Sequence, residues 1–509
     1  MKSIRSLGLG AYLACLVGGA GHVMAQSATA HVPTDDEIFQ TIQTIVGFGI
    51  RTPGSIASIK TSQYIHDQFV ASGLERVDYQ EANTRMWKVS KSKLTVNGQE
   101  IQSFPMQHTL FKEGSFGPFS TGPGGLKAPI VYVGKGSAID FLFKDVRGKI
   151  VVMDMPFGAQ PAGLLRPFGL GVQDTANSFT PDYKWPDPYA GGAFPGNYYR
   201  ALKGGAAGVI GVLVDYVEDS AYHNEAYRSY DPGSAMSIPG LWMSPGKGNK
   251  LVADIKAAKT PLTAVMTMEG EVTQEKGRAV YGYLPGMSDE VILIESHHDS
   301  STSGAVEDAS GSSEVLALAR YYGQLPRSQR PRTLMFATMD THFTDYAVHK
   351  SFANRFLRPG NPTGQKTVAG VTIEHIGREF IKDANGRFVS TGLPVPKLLM
   401  VSTDVKGLKD IAVNAMHTHE LEQTMAASMT LIILAAGGLP ADSSDFLRVG
   451  LPLVILVGSP MYLYDDGDKL DKIDKDSLNK VASAFVDILD GMGKLPSSSY
   501  KTGPILADF

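Results

Sequence analysis

The stretch that decides the fold is Val291–Arg320, VILIESHHDSSTSGAVEDASGSSEVLALAR. Its first four residues are apolar and predict a buried strand. The segment after this strand is rich in side chains that bind metals: Glu295, His297, His298, Asp299, Glu307 and Asp308. A helix pattern begins near Ser310. A strand followed by a ligand-rich loop and a helix is how an open α/β sheet builds a site at the carboxyl ends of its strands.

The composition is that of an ordinary globular protein. The 509 residues are 43% hydrophobic and 19% charged, which is enough chain for two or three domains. The formal net charge of -4 and the lack of basic runs give no sign of nucleic-acid binding. The sequence leaves the oligomeric state open.

The amino terminus has the pattern of a secretory signal peptide. Lys2 and Arg5 precede an apolar run, and an A-x-A-like cleavage site ends at Ala25, so residues 1–25 are predicted to be removed. The apolar run is shorter than the ~20 residues of a membrane span, and no other span is predicted. A lipoprotein signal around Cys15 is a poor match. We therefore expect a periplasmic or secreted protein.

Cys15 is the only cysteine, so the mature chain is expected to contain no disulfide and no thiolate ligand. Any bound metal must then be held by His, Asp, Glu or Tyr side chains. The sequence contains no G-x-S-x-G motif, and a serine hydrolase with that nucleophile turn is not predicted.

Strand and helix patterns alternate from residue 280 onward, which predicts a doubly wound, mixed α/β sheet with flanking helices. The predicted strands are short apolar runs at residues 291–294, 333–338, 370–373, 397–401 and 453–457. Helices are predicted near residues 310–323, 345–357, 406–415 and 475–491, and within residues 34–75.

Residues 120–268 differ from the rest because Gly and Pro are dense between short β-type runs. We predict an inserted β-rich domain there, with residues 26–119 and 269–509 forming one α/β domain around it. Segments at 148–152, 203–211 and 238–239 resemble the protease-associated domain that is inserted in many secreted peptidases. This segment lacks a suitable ligand cluster, so we expect it to control access or substrate positioning rather than chemistry.

Potential metal ligands recur at the ends of successive predicted strands. The pairs are His297 with Asp299, Glu307 with Asp308, Asp340 with His342, and Glu374 with His375, followed by the loop at 462–466. One such cluster is often structural, but several at one sheet edge favour a catalytic zinc site. Such a site takes three or more His, Asp or Glu ligands and activates a water molecule.

These motifs make the chain resemble the M28 metallopeptidases, the aminopeptidase and glutamate-carboxypeptidase-like zinc hydrolases. The resemblance covers most of the mature chain and implies cleavage of a peptide or small amide substrate. It makes His297 a zinc ligand and Asp299 the carboxylate that orients it. The loop at 304–311 matches the family's bridging loop, with Glu307 in place of the bridging Asp and Asp308 as a weaker candidate ligand.

The chain departs from the family pattern at the remaining positions. The family's Glu-Glu pair, a general base followed by a zinc ligand, is replaced by Asp340 as the predicted base and His342 as the predicted ligand. Glu374 takes the place of the next Asp ligand, and Tyr464 stands where the last His ligand is expected. The family's Ser-Asp-His loop is altered at residues 441–446. The resemblance thus implies a remodelled site with one tightly bound zinc or two unequal ones.

Structural roles are predicted for the other histidines. His298 is expected to face the other side of the chain. His375 is interpreted as a core histidine with its hydrogen bonds made by protein groups, rather than as a metal ligand. His417 and His419 lack the second histidine of H-E-x-x-H and are interpreted as a surface feature. Two other functions stay open: an inactive relative that binds a ligand or partner in the same cleft, and a hydrolase of a non-peptide amide or ester.

Overall fold

The computed structural model of the protein describes residues 30–157, 159–185, 193–218, 220–226, 229–436 and 442–500. The predicted signal peptide lies outside the described residues. Residues from Val32 onward belong to one compact unit. Within the described part of the chain, no helix combines the length and the apolar character that crossing a membrane requires.

The described strands are β1 Glu75–Val96, β2 Gln99–Ile101, β3 Phe104–Pro105, β4 Gly117–Ser120, β5 Leu126–Tyr132, β6 Ile150–Asp154, β7 Gln160–Pro161, β8 Gly169–Gln173, β9 Lys184–Trp185, β10 Gly208–Val212, β11 Gly240–Met243, β12 Thr263–Leu284, β13 Ser288–His297, β14 Arg332–Met339, β15 Thr367–Glu374, β16 Arg378–Lys382, β17 Phe388–Pro394, β18 Lys397–Val401, β19 Thr424–Ser428 and β20 Leu453–Gly458. The α-helices are α1 Asp35–Gly47, α2 Ile56–Ala71, α3 Ala138–Leu142, α4 Gly196–Lys203, α5 Pro245–Ala257, α6 Ser310–Gln324, α7 Ala347–Phe352, α8 Leu408–Thr418, α9 Met429–Ala436, α10 Ser444–Arg448 and α11 Leu478–Lys494.

The largest sheet is mixed, and its central strands are parallel. The strand order is β3-β11-β10-β6-β5-β12-β14-β13-β15-β20-β18-β19-β8. Strands β14, β13, β15 and β20 run parallel to one another, whereas β12 and β18 are antiparallel to their neighbours β14 and β20. The predicted α/β fold with a mixed sheet and flanking helices is confirmed.

The parallel strands are buried on both faces, which explains their continuous apolar runs. Along β13, Ile292 and Ile294 belong to the core that α1, α6 and α11 cover. Val291 and Leu293 belong to a second core on the other face, against α7, α9 and α10. Because side chains alternate along a strand, His297 lies on the same side of β13 as Leu293.

The segment predicted as an inserted domain is joined to the main sheet through a shared strand. The first part of β12, Thr263 to Met266, pairs with β5, and its last part, Ala279 to Leu284, pairs with β14. Over most of its length β12 also pairs with β1. Strand β8 from the same segment adds to the far edge of the sheet beside β19. The domain boundaries at residues 120 and 268 stay a prediction.

Arg51, in the connection between α1 and α2, holds the loop that follows β13. Its guanidinium is fully buried and donates to the carbonyl oxygens of His298 at 2.8 Å, Ser303 at 2.9 Å and Gly304 at 2.7 Å. Burial lowers the pKa of Arg51 to about 10, although nearby carboxylates, above all Asp468, act in the opposite direction. One charged side chain thus fixes the backbone on which His297 and Glu307 depend.

Arg51→Met should lower the free energy of unfolding by about 3–5 kcal/mol, because three buried carbonyl oxygens lose a charged donor. Denaturant unfolding at neutral pH measures the change. Lys60→Met is the matched control, since Lys60 is exposed on α2. Equal unfolding midpoints for the two variants would show that Arg51 does not hold this loop.

Candidate metal centre

Loops at the carboxyl ends of the central strands converge on one buried space. β13 ends at His297, and the turn that opens α6 carries Glu307. A short turn after β14 begins at His342, and His375 directly follows β15. The register pairs His297 with Met339, so β13 and β14 end side by side. This is the sheet edge at which the sequence predicted the ligands to meet.

Each of the three histidines donates a hydrogen bond from one ring nitrogen. The acceptors are Asp299 Oδ1 at 3.3 Å for His297 Nδ1, Glu225 Oε1 at 2.9 Å for His342 Nε2, and the Gly458 carbonyl at 2.8 Å for His375 Nδ1. In a neutral imidazole the second nitrogen then carries a lone pair. These second nitrogens are Nε2 of His297, Nδ1 of His342 and Nε2 of His375, and all three face carboxylate oxygens.

Two carboxylates lie against those nitrogens. Asp442 precedes α10, and its Oδ2 is 2.9 Å from His342 Nδ1 and 3.6 Å from His297 Nε2. Glu307 Oε1 is 3.4 Å from His342 Nδ1 and 3.5 Å from His297 Nε2, while its Oε2 is 2.6 Å from His375 Nε2. Two groups of ligand atoms result, each within 4.8 Å: His297 with His342 and Asp442, and His297 with Glu307 and His375.

Several buried polar atoms of this centre have no hydrogen-bond partner outside the centre. Among the described residues they are Glu374 Oε1 and four ligand atoms that contact one another or the neighbouring rings: both carboxylate oxygens of Glu307, Asp442 Oδ2 and His375 Nε2. An unsatisfied buried polar atom costs about 1–3 kcal/mol. Imidazole and carboxylate are the donors that zinc and similar divalent cations take, so a cation at this centre would satisfy several of these atoms at once. The residues present therefore fit a divalent metal.

The charges of the centre shift the pKa of its members. Burial alone would lower the pKa of His297, but Asp442 and Glu307 outweigh it and raise the value to about 9. The pKa of His375 rises to about 10, mainly because Glu307 outweighs burial, and that of His342 rises well above its usual range. His342 and His297 in turn hold the pKa of Asp442 below its usual range against the effect of burial. In the absence of a metal, the positive charges of the protonated histidine rings compensate the negative charges of Asp442 and Glu307.

Of the residues predicted as catalytic, the structure brings only Asp299 into contact with a ligand. Its Oδ1 accepts from His297 Nδ1, as expected for an orienting carboxylate. Asp340 points elsewhere, because its carboxylate accepts from Arg278 N at 2.6 Å and Ser58 Oγ at 3.1 Å. This geometry turns Asp340 towards β12 and α2, and does not support its predicted role as the base.

The predicted metal ligands divide into two sets. His297, Glu307 and His342 meet at the centre, whereas Glu374, Asp308 and Tyr464 are not members of either ligand group. Glu374 is buried at the end of β15. Burial, followed by the Asp442 carboxylate, raises the pKa of Glu374 well above its usual range.

Asp308 holds the backbone around the centre. Its carboxylate accepts from Ser296 Oγ at 2.6 Å, Gly311 N at 2.9 Å and His375 N at 3.1 Å. Tyr464 donates its hydroxyl to Glu225 Oε1, the same oxygen that accepts from His342. Asp308 therefore contacts backbone and hydroxyl groups next to the ligands, and Tyr464 contacts Glu225. Neither side chain is in contact with the ring nitrogens that face Glu307 and Asp442.

The other histidines discussed from the sequence, His298, His417 and His419, each contact a protein group. His298 lies 3.1 Å from Thr338 Oγ1 through its Nδ1, away from the two ligand groups. His417 contacts Gln173 Oε1 at 2.8 Å and His419 contacts Asp487 Oδ2 at 2.7 Å, both near the surface.

Three residues of the centre were missed or given another role from the sequence. His375 was expected in the core, Asp442 was noted only as part of an altered loop, and Glu225 was not singled out. A histidine next to a predicted ligand at a strand end was the one available signal for His375. No pattern in the sequence marks Glu225, which lies 117 positions before His342.

Comparison with known proteins gives a family match that covers this centre. Residues 279–489 match the model of peptidase family M28. The resemblance stated from the motifs is confirmed over this segment, which contains His297, Glu307, His342, His375 and Asp442. This match supports a metal-dependent peptidase. No curated protein matches the chain.

Solved structures of low sequence identity share the fold. An M28 peptidase precursor from Shewanella amazonensis SB2B matches with a TM-score of 0.65 at 17% identity, over 90% of this chain and 93% of that chain. A zinc aminopeptidase from Bacillus subtilis gives 0.60 at 14% identity, over 92% and 98%. An aminopeptidase from Aneurinibacillus sp. strain AM-1 gives 0.57 at 20% identity, over 90% and 93%.

Metal-free protein is expected to lose stability as the pH rises from about 6.5 to about 10. The folded pKa values are about 9 for His297 and about 10 for His375, whereas unfolded histidine titrates near ~6.5. Protonation of these rings therefore stabilises the fold fully below pH ~6.5, and the contribution disappears as the pH passes through the folded values.

Urea midpoints of chelator-treated protein at about pH 6.5, 8 and 9.5 measure this loss. The double variant His297→Asn, His375→Asn is the control, and its midpoint should depend less on pH. A wild-type midpoint that stays constant or increases over this range would contradict the expectation.

Proposed function

We propose that the protein is a secreted or periplasmic metallopeptidase that cleaves peptide or related amide bonds at a remodelled M28 centre. The observation that carries the proposal is the arrangement of three histidines, each donating from one nitrogen and facing carboxylates with the other. The predicted signal peptide supports export, and the family supports a peptide substrate. Zinc is the proposed metal, because the donors are His, Asp and Glu.

The proposed centre holds two metal ions of unequal affinity. His297 Nε2 is a member of both ligand groups, but one lone pair serves one ion. If it joins His342 and Asp442, the second position keeps only His375 and Glu307 from its group. The first position then has three protein ligands and the second has two. We therefore expect one tightly bound metal at the first position and a more weakly bound metal at the second. When bound, the metal supplies Lewis-acid stabilisation and an activated water.

The reaction also needs a carboxylate that accepts the proton of the attacking water. We assign this role to Glu374, because its Oε1 is buried beside the ligands, has no hydrogen-bond partner among the described residues and is not needed as a ligand. Asp299 orients His297, and Asp308 supports the loops. We do not assign the role to Asp340, because its carboxylate oxygens already accept from Arg278 N and Ser58 Oγ.

Chelator treatment should remove activity on peptide substrates, and added zinc should restore it. Asp442→Ala should reduce tightly bound metal to well below one ion per chain, because the tight position loses its carboxylate. Elemental analysis after gel filtration measures this. Asp445→Ala is the control, since Asp445 pairs with Arg448 on α10 and is in neither ligand group.

The two alternative functions predict other results. A protein that contains metal but hydrolyses only non-peptide amides or esters would support the second hydrolase function. Wild-type protein without metal and without hydrolysis of peptides, amides or esters would support a binding protein. Unchanged metal content in Asp442→Ala would show that the tight position uses other residues.

Glu374→Gln should lower kcat by ~10²-fold or more, the usual scale for a lost general base, while metal content stays at the wild-type level. Asp340→Asn is the matched comparison, because Asp340 carries the same kind of group at the end of β14, which lies on the other side of β13 from β15. The kcat of Asp340→Asn should stay within a few-fold of wild type, whereas its free energy of unfolding should decrease. The reverse result, an inactive Asp340→Asn beside an active Glu374→Gln, would return the role to Asp340.

A further inference from the structure

A loop of the predicted inserted segment contacts the loop that follows β20. Tyr216 donates to Asp465 Oδ2 at 2.8 Å, and Ser220 donates to the other oxygen of the same carboxylate. His223 N donates to the Tyr464 carbonyl at 2.7 Å, and His223 Nε2 contacts Asp466 Oδ1 at 2.8 Å. Backbone, charged and hydroxyl contacts together fix the position of this loop at the metal centre.

The same loop presents Glu225 to the centre. Asn224, directly before it, is fully buried and accepts from Gln107 N and Trp242 Nε1, both at 2.9 Å. Its amide donates back to the Gln107 carbonyl at 3.1 Å and to the Glu225 carbonyl at 3.0 Å. The backbone that carries Glu225 is therefore held on two sides, by Trp242 of the same segment and by Gln107, which precedes that segment.

Glu225 Oε1 accepts two hydrogen bonds, from His342 Nε2 and from the Tyr464 hydroxyl. The bond to His342 keeps the ring proton on Nε2, so that Nδ1 presents its lone pair towards Asp442 and His297. A carboxylate acceptor also makes a ligating imidazole more basic. The corresponding acceptors for His297 and His375 come from the sheet domain itself, at Asp299 and Gly458.

We propose that Glu225 is a positioning residue through which the inserted segment completes the metal centre. It fixes the tautomer and orientation of His342 and adds a negative charge beside a neutral ligand. This inference rests on the proposed metal centre and assigns the inserted segment a part in metal binding, beyond access to the cleft. Glu225 is in neither ligand group, so it acts through His342.

The test measures zinc affinity of the full chain by competition with a chromophoric chelator. Glu225→Ala should weaken the tight site by ~10–100-fold, the range for loss of a group that orients a ligand. Glu225→Gln, whose amide oxygen still accepts from Nε2, should recover part of this loss. The visible spectrum of cobalt-substituted protein should change in Glu225→Ala, because His342 is reoriented. With saturating metal, kcat should return towards the wild-type value.

Asp466→Asn is the matched control, since Asp466 pairs with His223 in the same contact but does not reach the centre. Its metal affinity and cobalt spectrum should equal those of wild type. Equal weakening in Asp466→Asn and Glu225→Ala would mean that docking alone matters and would overturn the positioning role. Loss of kcat in Glu225→Gln that persists at saturating metal would also overturn it, by making Glu225 a reacting group.

The outcomes separate this inference from the proposed function. Wild-type protein that binds metal and hydrolyses peptides, beside an unaltered affinity in Glu225→Ala, would overturn the inference alone. Wild-type protein that binds no metal would overturn both proposals.

Discussion

Three imidazole rings and two carboxylates share one buried space, and their charges must be balanced there. An uncompensated buried charge is strongly destabilising, so the fold requires either protons on the rings or a cation between them. Without metal, Asp442 and Glu307 raise the pKa of the histidines that face them. A bound metal would take the same nitrogens and oxygens as ligands and would release the protons. One requirement thus explains both the shifted pKa values and the unpartnered atoms.

The sheet that holds these groups was largely predictable, and the reason is physical. Strands covered on both faces carry mostly apolar residues, so the runs at 397–401 and 453–457 correspond closely to Lys397–Val401 and Leu453–Gly458. Ligand residues directly after such runs must meet at one edge, because parallel strands end at the same side. That argument placed the clusters that contain His297, Glu307 and His342 at this edge, whereas the choice of these three as ligands came from the family resemblance and stays a prediction.

Side-chain direction within the loops was not predictable. Thr341 has φ 80° and His375 has φ 62°, and these left-handed residues turn the chain immediately at the ligands. Asp340 and His342 are only two positions apart, yet one carboxylate binds β12 and α2 while the ring enters the centre. His375, rather than the adjacent Glu374, is a member of a ligand group. These turns cannot be predicted from the pattern of residue types along the chain. The same holds for the contacts of Asp442 and Glu225 with His342, which is distant from both in sequence.

The histidine at position 342 links these observations. In the family that the chain resembles, a carboxylate occupies the corresponding ligand position, and its replacement by a neutral ring removes one negative charge from the centre. The Glu225 carboxylate supplies a negative charge on the other side of the His342 ring, where its Oε1 lies 2.9 Å from Nε2. In this proposal the carboxylate comes from the segment predicted as an insertion, and His342 lies between it and the other ligands. In this proposal metal affinity depends on the contact between His342 and Glu225, whereas His297 and His375 donate to Asp299 and to the Gly458 carbonyl of the sheet domain.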